Sequence, residues 1–257
     1  MAGPTRHSGC FALLLAAMPA VASAQPALRV DGTEFVLTAG DGRVMRSHDL
    51  VGATLQLEIA GRASEILIRD VRDDRESVGR VVLHHFLIRA ADGPRTEVCA
   101  PDAKGESLGF PVPDGRGGFE ITCTGGAVAK CIRFGYRPWD EVPGGPPLKA
   151  LHAACIRMVR ADYGGQGESG TRDGTEIEFY DRWGIQTRDG DTRMSFEAAW
   201  GTDGAMCVAH ARIPEIMSLE QLATRYPRLE GHTGPSHCSE DAAFHDGRAL
   251  LLNRSRE

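Results

Sequence analysis

A carboxylate and a histidine near the middle of the chain are the residues best suited to catalysis. Asp162 lies beside Arg157, Arg160 and Tyr163, and His152 precedes it by ten residues. A carboxylate can act as a general acid or base when an apolar pocket raises its pKa. We favour the competing interpretation, an ion pair with an arginine that fixes a helix to the following loop. Asp162 and His152 are the candidate catalytic residues, and the sequence leaves the true ones unknown.

Two groups of histidine and cysteine have spacings that could suggest zinc. His152 and Cys155 would share one helix face, and His232, His237 and Cys238 are close along the chain. A structural zinc site usually draws its four ligands from tight pairs, and the chain contains no Cys-x-x-Cys. We therefore favour disulfide cysteines with neighbouring polar histidines, and we predict neither a metal nor a cofactor.

Three further chemical signals are weak. The glycine-rich segment 164–175 follows a predicted helix, whereas phosphate-binding loops precede one. No Gly-x-Ser-x-Gly nucleophile motif occurs, and the short acidic turns do not match a calcium-binding loop. His84 and His85 are adjacent in a predicted strand, so their side chains should point to opposite faces of a sheet.

The elements around these residues follow from hydrophobic periodicity. Apolar residues on one stripe predict a helix over 148–161 that ends near Gly164 and Gly165. Ser218 is a predicted N-cap for a later helix. A short helix is expected at 127–133, and strands are expected at 119–123, 177–180 and 195–200.

The sequence of residues 27–93 predicts β structure. Four segments are apolar or alternate between apolar and polar residues, and turn residues separate them. These segments are 35–37, 55–59, 66–68 and 81–89. The turn at Ala60-Gly61-Arg62 gives a hairpin pattern. We expect residues 27–93 to form a twisted antiparallel sheet with one buried face.

Composition limits the class of protein. The chain has 257 residues, of which 42% are hydrophobic and 25% charged, as in ordinary globular proteins. The net charge is −6, and the basic residues are scattered singly. No cluster of lysine and arginine could neutralise a run of phosphates, so we expect no nucleic acid partner. Other partners are unknown, and we expect a monomer.

Residues 1–24 have the features of a secretory signal peptide. Arg6 and His7 precede a short apolar run that ends at Val21, and Ala22-Ser23-Ala24 has the small-x-small cleavage pattern. The apolar run is much shorter than the roughly 20 residues needed to span a bilayer. We expect cleavage after Ala24, no membrane span in the mature chain, and a periplasmic or secreted location.

Cleavage would leave an even number of cysteines. Six remain after Cys10 is removed, and an exported chain meets an oxidising environment, so paired disulfides are expected. Sequence alone does not select among the connectivities. The pairing that we expect is Cys99 with Cys123, Cys131 with Cys155, and Cys207 with Cys238.

The stretch from Cys155 to Asp181 resembles the ADYC-domain family, cysteine-rich exported bacterial proteins named for an Ala-Asp-Tyr-Cys motif. The resemblance covers roughly residues 95–255 and implies no established activity. The other segments that carry it are Cys123-Thr124-Gly125-Gly126, Ala129-Lys130-Cys131, Phe134-Gly135-Tyr136, Pro138-Trp139, Phe196-Glu197-Ala198, Trp200, Gly204-Ala205-Met206-Cys207 and Leu252-Asn253-Arg254-Ser255.

The chain departs from the family motif at one informative position. Gly164 stands where the motif has its cysteine. The resemblance implies a second cysteine before a proline, where this chain has Tyr226-Pro227. Loss of both cysteines leaves no unpaired thiol, and packing, for example through Tyr226, would have to replace a disulfide worth about 2–4 kcal/mol.

These observations predict an α+β protein. Residues 25–94 form a β-rich region, and residues 95–257 form a disulfide-stapled domain with one main helix, a second short helix and several strands. The function that we expect is that of an exported binding or structural module. The alternative is a secreted, hydrolase-like enzyme with Asp162 and His152 near the glycine-rich loop.

Overall fold

The computed structural model describes residues 25–59, 62–90, 93–188, 190 and 193–257. The predicted signal peptide and the predicted turn at Ala60-Gly61 lie outside this range. The architecture is α+β and mostly β, with three antiparallel sheets in the described part of the chain. No helix among these residues has the length and apolar character needed to cross a membrane.

Two sheets are built from the first half of the chain. The smaller one has the order β1-β2-β3, and the larger one has the order β4-β5-β6-β8-β9 with β7 paired to β6. A 3-10 helix at 47–50 connects the two sheets. The strands are β1 (Ala27–Asp31), β2 (Glu34–Thr38), β3 (Val44–Arg46), β4 (Thr54–Ile59), β5 (Arg62–Asp73), β6 (Val82–Ala90), β7 (Thr96–Glu97), β8 (Leu108–Pro113) and β9 (Phe119–Cys123).

The second half of the chain supplies the helices and the third sheet, whose order is β10-β13-β11-β12. One of its two inner strands, β13, is the last element that the structure describes and is buried along its whole length. The elements are α1 (Ala127–Arg133), α2 (Leu148–Arg160), β10 (Ile177–Tyr180), β11 (Ser195–Gly201), β12 (Gly204–Val208), α3 (Leu219–Arg225), a 3-10 helix at 227–229, α4 (Glu240–His245) and β13 (Leu251–Ser255).

Helix α2 is the centre of the main core. Its predicted apolar stripe packs against β11, β12 and α3. The helix ends at Arg160, four residues before the glycine that we expected to terminate it, and Ala161 adopts a left-handed conformation with φ of 49°. The buried Arg212 donates hydrogen bonds to the last carbonyls of α2, so the helix ends without a C-terminal glycine.

Three disulfides join these elements, and they are the three pairs that we expected. Cys99–Cys123 ties the segment after β7 to the end of β9, and Cys131–Cys155 joins α1 to α2. Cys207–Cys238 joins β12 to the segment before α4.

Candidate functional site

Asp162 is fully buried and has a complete set of partners. Its carboxylate accepts hydrogen bonds from Arg157 Nη1 at 2.6 Å, from the Gly167 N–H at 2.8 Å and from the Gln166 N–H at 3.1 Å. The side chain is 0% exposed. The left-handed residue Ala161 turns the backbone so that the carboxylate faces the glycine-rich loop. These contacts attach the C-terminal end of α2 to the glycine-rich loop, which is a structural role.

The neighbouring Tyr163 belongs to a buried ion-pair network. Its hydroxyl donates to Glu197 Oε1 at 3.0 Å and accepts from the Arg212 N–H at 2.8 Å. The Arg212 guanidinium binds both carboxylate oxygens of Glu197, at 2.9 and 3.0 Å. Burial opposes the charge of Glu197, but Arg212 outweighs it, so the pKa of Glu197 lies below its ordinary value. Burial raises the pKa of Tyr163, which therefore stays neutral.

Strand β13 completes this network. Asn253 Nδ2 donates to Glu197 Oε2 at 2.7 Å, and Asn253 Oδ1 accepts from the Trp200 indole N–H at 2.8 Å. The indole of Trp200 stacks on the ring of Tyr163, with the ring centroids 5.3 Å apart. Segments far apart in the sequence thus meet in one buried polar cluster. Since its members are sealed from solvent, the cluster has a structural role rather than access to a substrate.

His152 lies elsewhere on α2. It is 9% exposed, and its Nε2 contacts the Val128 carbonyl of α1 at 3.3 Å. Burial lowers the pKa of His152. Asp162 lies past the far end of the helix, roughly 12 Å or more along the axis at 1.5 Å per residue. The structure does not bring the two candidate catalytic residues together.

The adjacent histidines His84 and His85 face opposite sides of the sheet, as their alternation predicted. His84 Nε2 lies 2.8 Å from the Ser47 hydroxyl, a distance suited to a base and a nucleophile. Both residues are 0% exposed, so no substrate could reach them. His85 bonds Glu97 at 2.6 Å on the other face.

The metal candidates have other partners. Cys155 and Cys238 are both in disulfides, and His237 bonds the side chain of Ser236. Within the ranges that the structure describes, no cluster of three or more histidine, cysteine, aspartate or glutamate side chains is arranged to hold a metal ion.

A large concave feature lies at a place that we did not predict. It is a cavity of about 980 Å³ between the end of β5, the loop 101–106 and helix α1, and we call it the cleft. Its floor is apolar, and its walls are charged. Val71, Leu83 and Leu108 form the floor, and the walls are formed by His48, residues 72–76, the loop 101–106 and the start and end of α1.

Two ion pairs cross from β5 and the residues after it to the loop. Arg72 bonds Glu106 at 2.6 Å, and Lys104 bonds Glu76. The four side chains are between 37% and 60% exposed. Exposed pairs of this kind contribute only about 0–1 kcal/mol each, so they set the shape of the wall without holding it rigidly.

Deeper in the cleft the charged groups are more firmly held. Arg133 Nε bonds the buried carboxylate of Asp74 at 2.5 Å. Asp102 accepts hydrogen bonds from the Thr124 hydroxyl at 3.0 Å and from two backbone N–H groups of its own loop. Burial opposes the charge of Asp102, but these hydrogen bonds lower its pKa. This side of the cleft is preformed.

Several wall groups remain available to a ligand. Arg75, Lys130 and Asp173 have no ion pair or side-chain hydrogen bond with any residue that the structure describes. The Asp73 carboxylate lies 3.6 Å from His48 Nε2, is 66% exposed, and has no other ion pair among the described residues. The cleft therefore presents two unpaired cations, the unpaired carboxylate of Asp173 and the exposed carboxylate of Asp73 above an apolar floor.

Comparison with known proteins agrees with the resemblance found in the sequence. A family model described as the ADYC domain matches residues 47–214. The match includes Asp162, Tyr163, Glu197 and Arg212, and it begins earlier and ends earlier than the region in which we saw the resemblance. No match was found among curated proteins or among solved structures.

Proposed function

This chain belongs to the ADYC domain family, and we propose that it is an exported, disulfide-stabilised binding module whose ligand occupies the cleft. The observation that carries this proposal is the form of the cleft. Its volume of about 980 Å³ lies at the upper end of the ligand-pocket range of roughly 300–1,000 Å³. The lining is far more charged than that of a typical apolar pocket, so it would select a ligand by charge as well as by the apolar surface at its floor.

The wall groups indicate the class of ligand. Arg75 and Lys130 would attract an anionic group, and Asp73 and Asp173 would attract a cationic one. A zwitterionic molecule, such as an amino acid or a short peptide, satisfies both sets at once. The apolar floor favours one with a hydrophobic side chain.

Export is supported by two features. All six cysteines after residue 24 are paired, which is typical of chains that fold in an oxidising compartment. The first 24 residues have the pattern of a cleavable signal. A binding module in the periplasm or outside the cell would account for the paired cysteines, the signal pattern and the cleft.

A secreted hydrolase using Asp162 and His152 receives no comparable support. The carboxylate of Asp162 is occupied by three donors, and His152 faces α1. A general acid or base must lie within hydrogen-bond reach of the proton that it moves. Asp162 and His152 are buried and lie at different ends of α2, so they do not meet this condition together.

The test uses a side chain that fills the cleft. Gly125 lines it, and a Cβ added there would have its nearest neighbour at 3.9 Å, so Gly125→Trp should be accommodated. The matched control is Gly247→Trp, at an exposed glycine outside the cleft where an added Cβ meets no atom within 4 Å. The mature wild-type chain and both variants are screened by thermal melts against amino acids and di- and tripeptides.

We expect at least one hydrophobic zwitterion to raise the melting temperature of the wild type and of Gly247→Trp. The same compound should produce less than about half that shift in Gly125→Trp. A panel without any hit would favour a purely structural module. Equal shifts in the two variants would place the ligand outside the cleft.

A further inference from the structure

A second, smaller cavity lies beside the β1–β2 turn. It has a volume of about 350 Å³ and is formed by the β1–β2 turn, β3, the segment leading into β6 and the loop 137–140. It shares no lining residue with the cleft. Any ligand of this cavity is therefore independent of the function proposed above.

A buried carboxylate organises one wall of this cavity. Glu34 is 5% exposed, and its two oxygens accept hydrogen bonds from Arg46 at 2.6 Å and from Arg80 at 2.8 Å. Arg46 also donates to Asp31 at 3.1 Å. Glu34 thus holds one nitrogen of each guanidinium group at this wall of the cavity.

The facing wall carries an ion pair and an indole. Arg137 Nε donates to Asp140 at 2.5 Å, and Arg137 Nη1 donates to the Val78 carbonyl. Trp139 lies between the members of this pair in sequence and packs against Gly32, whose φ of 63° makes the tight β1–β2 turn. The indole is partly buried on the core beside it, so its orientation is set by packing.

The charges that line this cavity cancel. Three guanidinium groups face three carboxylates, so an ionic ligand of either sign would gain little net attraction. Uncharged molecules with many hydroxyl groups differ, because each hydroxyl both donates and accepts hydrogen bonds. The charged residues are Arg46, Arg80 and Arg137, and Asp31, Glu34 and Asp140.

Both kinds of hydrogen-bonding atom remain unused. Arg80 Nε and Nη1 and Arg137 Nη2 are donors without a partner among the described residues, as is Trp139 Nε1. Asp31 Oδ1 and Asp140 Oδ1 are acceptors without a hydrogen bond in the same part of the chain. Both donors and acceptors thus belong to the residues that line a cavity beside an aromatic ring.

We propose that this cavity binds a neutral saccharide unit. The apolar face of the sugar ring would pack on Trp139, and its hydroxyls would bond the guanidinium and carboxylate groups around the rim. The volume lies at the lower end of the range for ligand pockets, which suits one or two sugar rings.

Saturation-transfer-difference NMR on the mature chain tests the proposal, with glucose, N-acetylglucosamine and maltose as probes. Asp140→Ala removes one rim carboxylate that is 37% exposed. The matched control is Glu176→Ala, which removes a 67% exposed carboxylate that pairs with Arg256 outside the cavity. Arg80→Lys is a second variant, because it keeps the charge but removes the planar donors of a 66% exposed side chain.

We expect at least one neutral sugar to bind the wild type and Glu176→Ala alike. Binding should be about tenfold weaker in Asp140→Ala and in Arg80→Lys, as expected for loss of one good hydrogen bond. If Asp140→Ala does not unfold cooperatively, Arg80→Lys alone decides. The proposal is overturned if no neutral sugar binds, if glucuronate or glucosamine binds more tightly than glucose, or if the rim variants bind like the control.

Discussion

The ring of Tyr226 lies directly against Gly164 and occupies the space that a Cβ at residue 164 would need. Tyr226 is 4% exposed, and its hydroxyl donates to Glu168 at 3.0 Å. The family resemblance implies a cysteine at each of these two positions. In this chain the two residues are in direct contact through the ring of Tyr226.

This contact predicts that Gly164→Ala destabilises the protein by about 1–3 kcal/mol, the usual cost of overpacking a close contact. Urea denaturation measures the change. Gly247→Ala, at an open position, should change stability by less than about 0.5 kcal/mol.

A double-mutant cycle isolates this contact. In a Tyr226→Ala background the ring is absent, so adding Gly164→Ala should cost much less than it does in the wild type. Additive losses in the cycle would mean that the ring is not what excludes a side chain from residue 164.

The substitution Asp162→Asn tests whether Asp162 stabilises the fold or takes part in a functional site. The amide cannot accept all three of the hydrogen bonds that the carboxylate accepts, and Arg157 loses its counter-charge. We expect a loss of about 1–3 kcal/mol in the free energy of unfolding. Asp203→Asn, at an exposed position on the β11–β12 turn, is the control. Unchanged stability with loss of a ligand-binding signal would instead assign Asp162 to a site.

The buried pair Glu197–Arg212 should be one of the most sensitive points of the fold. Glu197→Gln leaves a buried guanidinium without its counter-charge, and we expect a loss of about 3–5 kcal/mol. The exposed pair Glu176–Arg256 provides the control, since Glu176→Gln should cost less than about 1 kcal/mol. Chemical denaturation compares the two, and similar small losses would show that the network is dispensable.

His84 should make the protein less stable in acid. Burial lowers its pKa from 6.5 to about 4, and its Nδ1 has no partner among the residues that the structure describes. Between these two values the unfolded chain binds a proton that the folded chain does not. Stability should therefore fall by up to about 3 kcal/mol as the pH decreases from 6.5 to 4, and this component should level off below pH 4.

His84→Phe tests this assignment because it keeps an aromatic ring beside Phe86, on which His84 stacks. The slope of stability against pH between 6.5 and 4 should be smaller in this variant than in the wild type. His85→Gln, on the solvent side of the same strand, should keep the slope that His84 causes. An unchanged slope in His84→Phe would assign the acid sensitivity to other groups.

The elements that sequence periodicity predicted are those with a clear amphipathic pattern or cap. Helix α2 buries the stripe that its spacing indicated, and Ser218 caps α3 together with Gln221 in reciprocal hydrogen bonds. Strand β13 carried no such signal, because both of its faces are buried and its polar Asn253 is satisfied by partners on β11.

Strand β8 was hidden by its prolines. Pro111 and Pro113 argue against a strand because proline has no N–H to donate. They are tolerated here because β8 pairs with β6 only through Leu108 and Gly109. Beyond these residues β8 pairs with β9 alone, so the missing N–H groups lie on an unpaired side. The cleft was equally invisible in the sequence, because its walls come from segments that only the fold brings together.

Intact-mass spectrometry of the unreduced protein, purified from its native host and denatured in a thiol-alkylating reagent, tests whether the chain is exported and whether its six remaining cysteines are paired. We expect a chain that begins at Gln25, carries no alkyl group and is lighter than the reduced sequence by two hydrogens for each of the three disulfides. A chain that retains Met1, or one with several alkylated cysteines, would contradict export into an oxidising compartment.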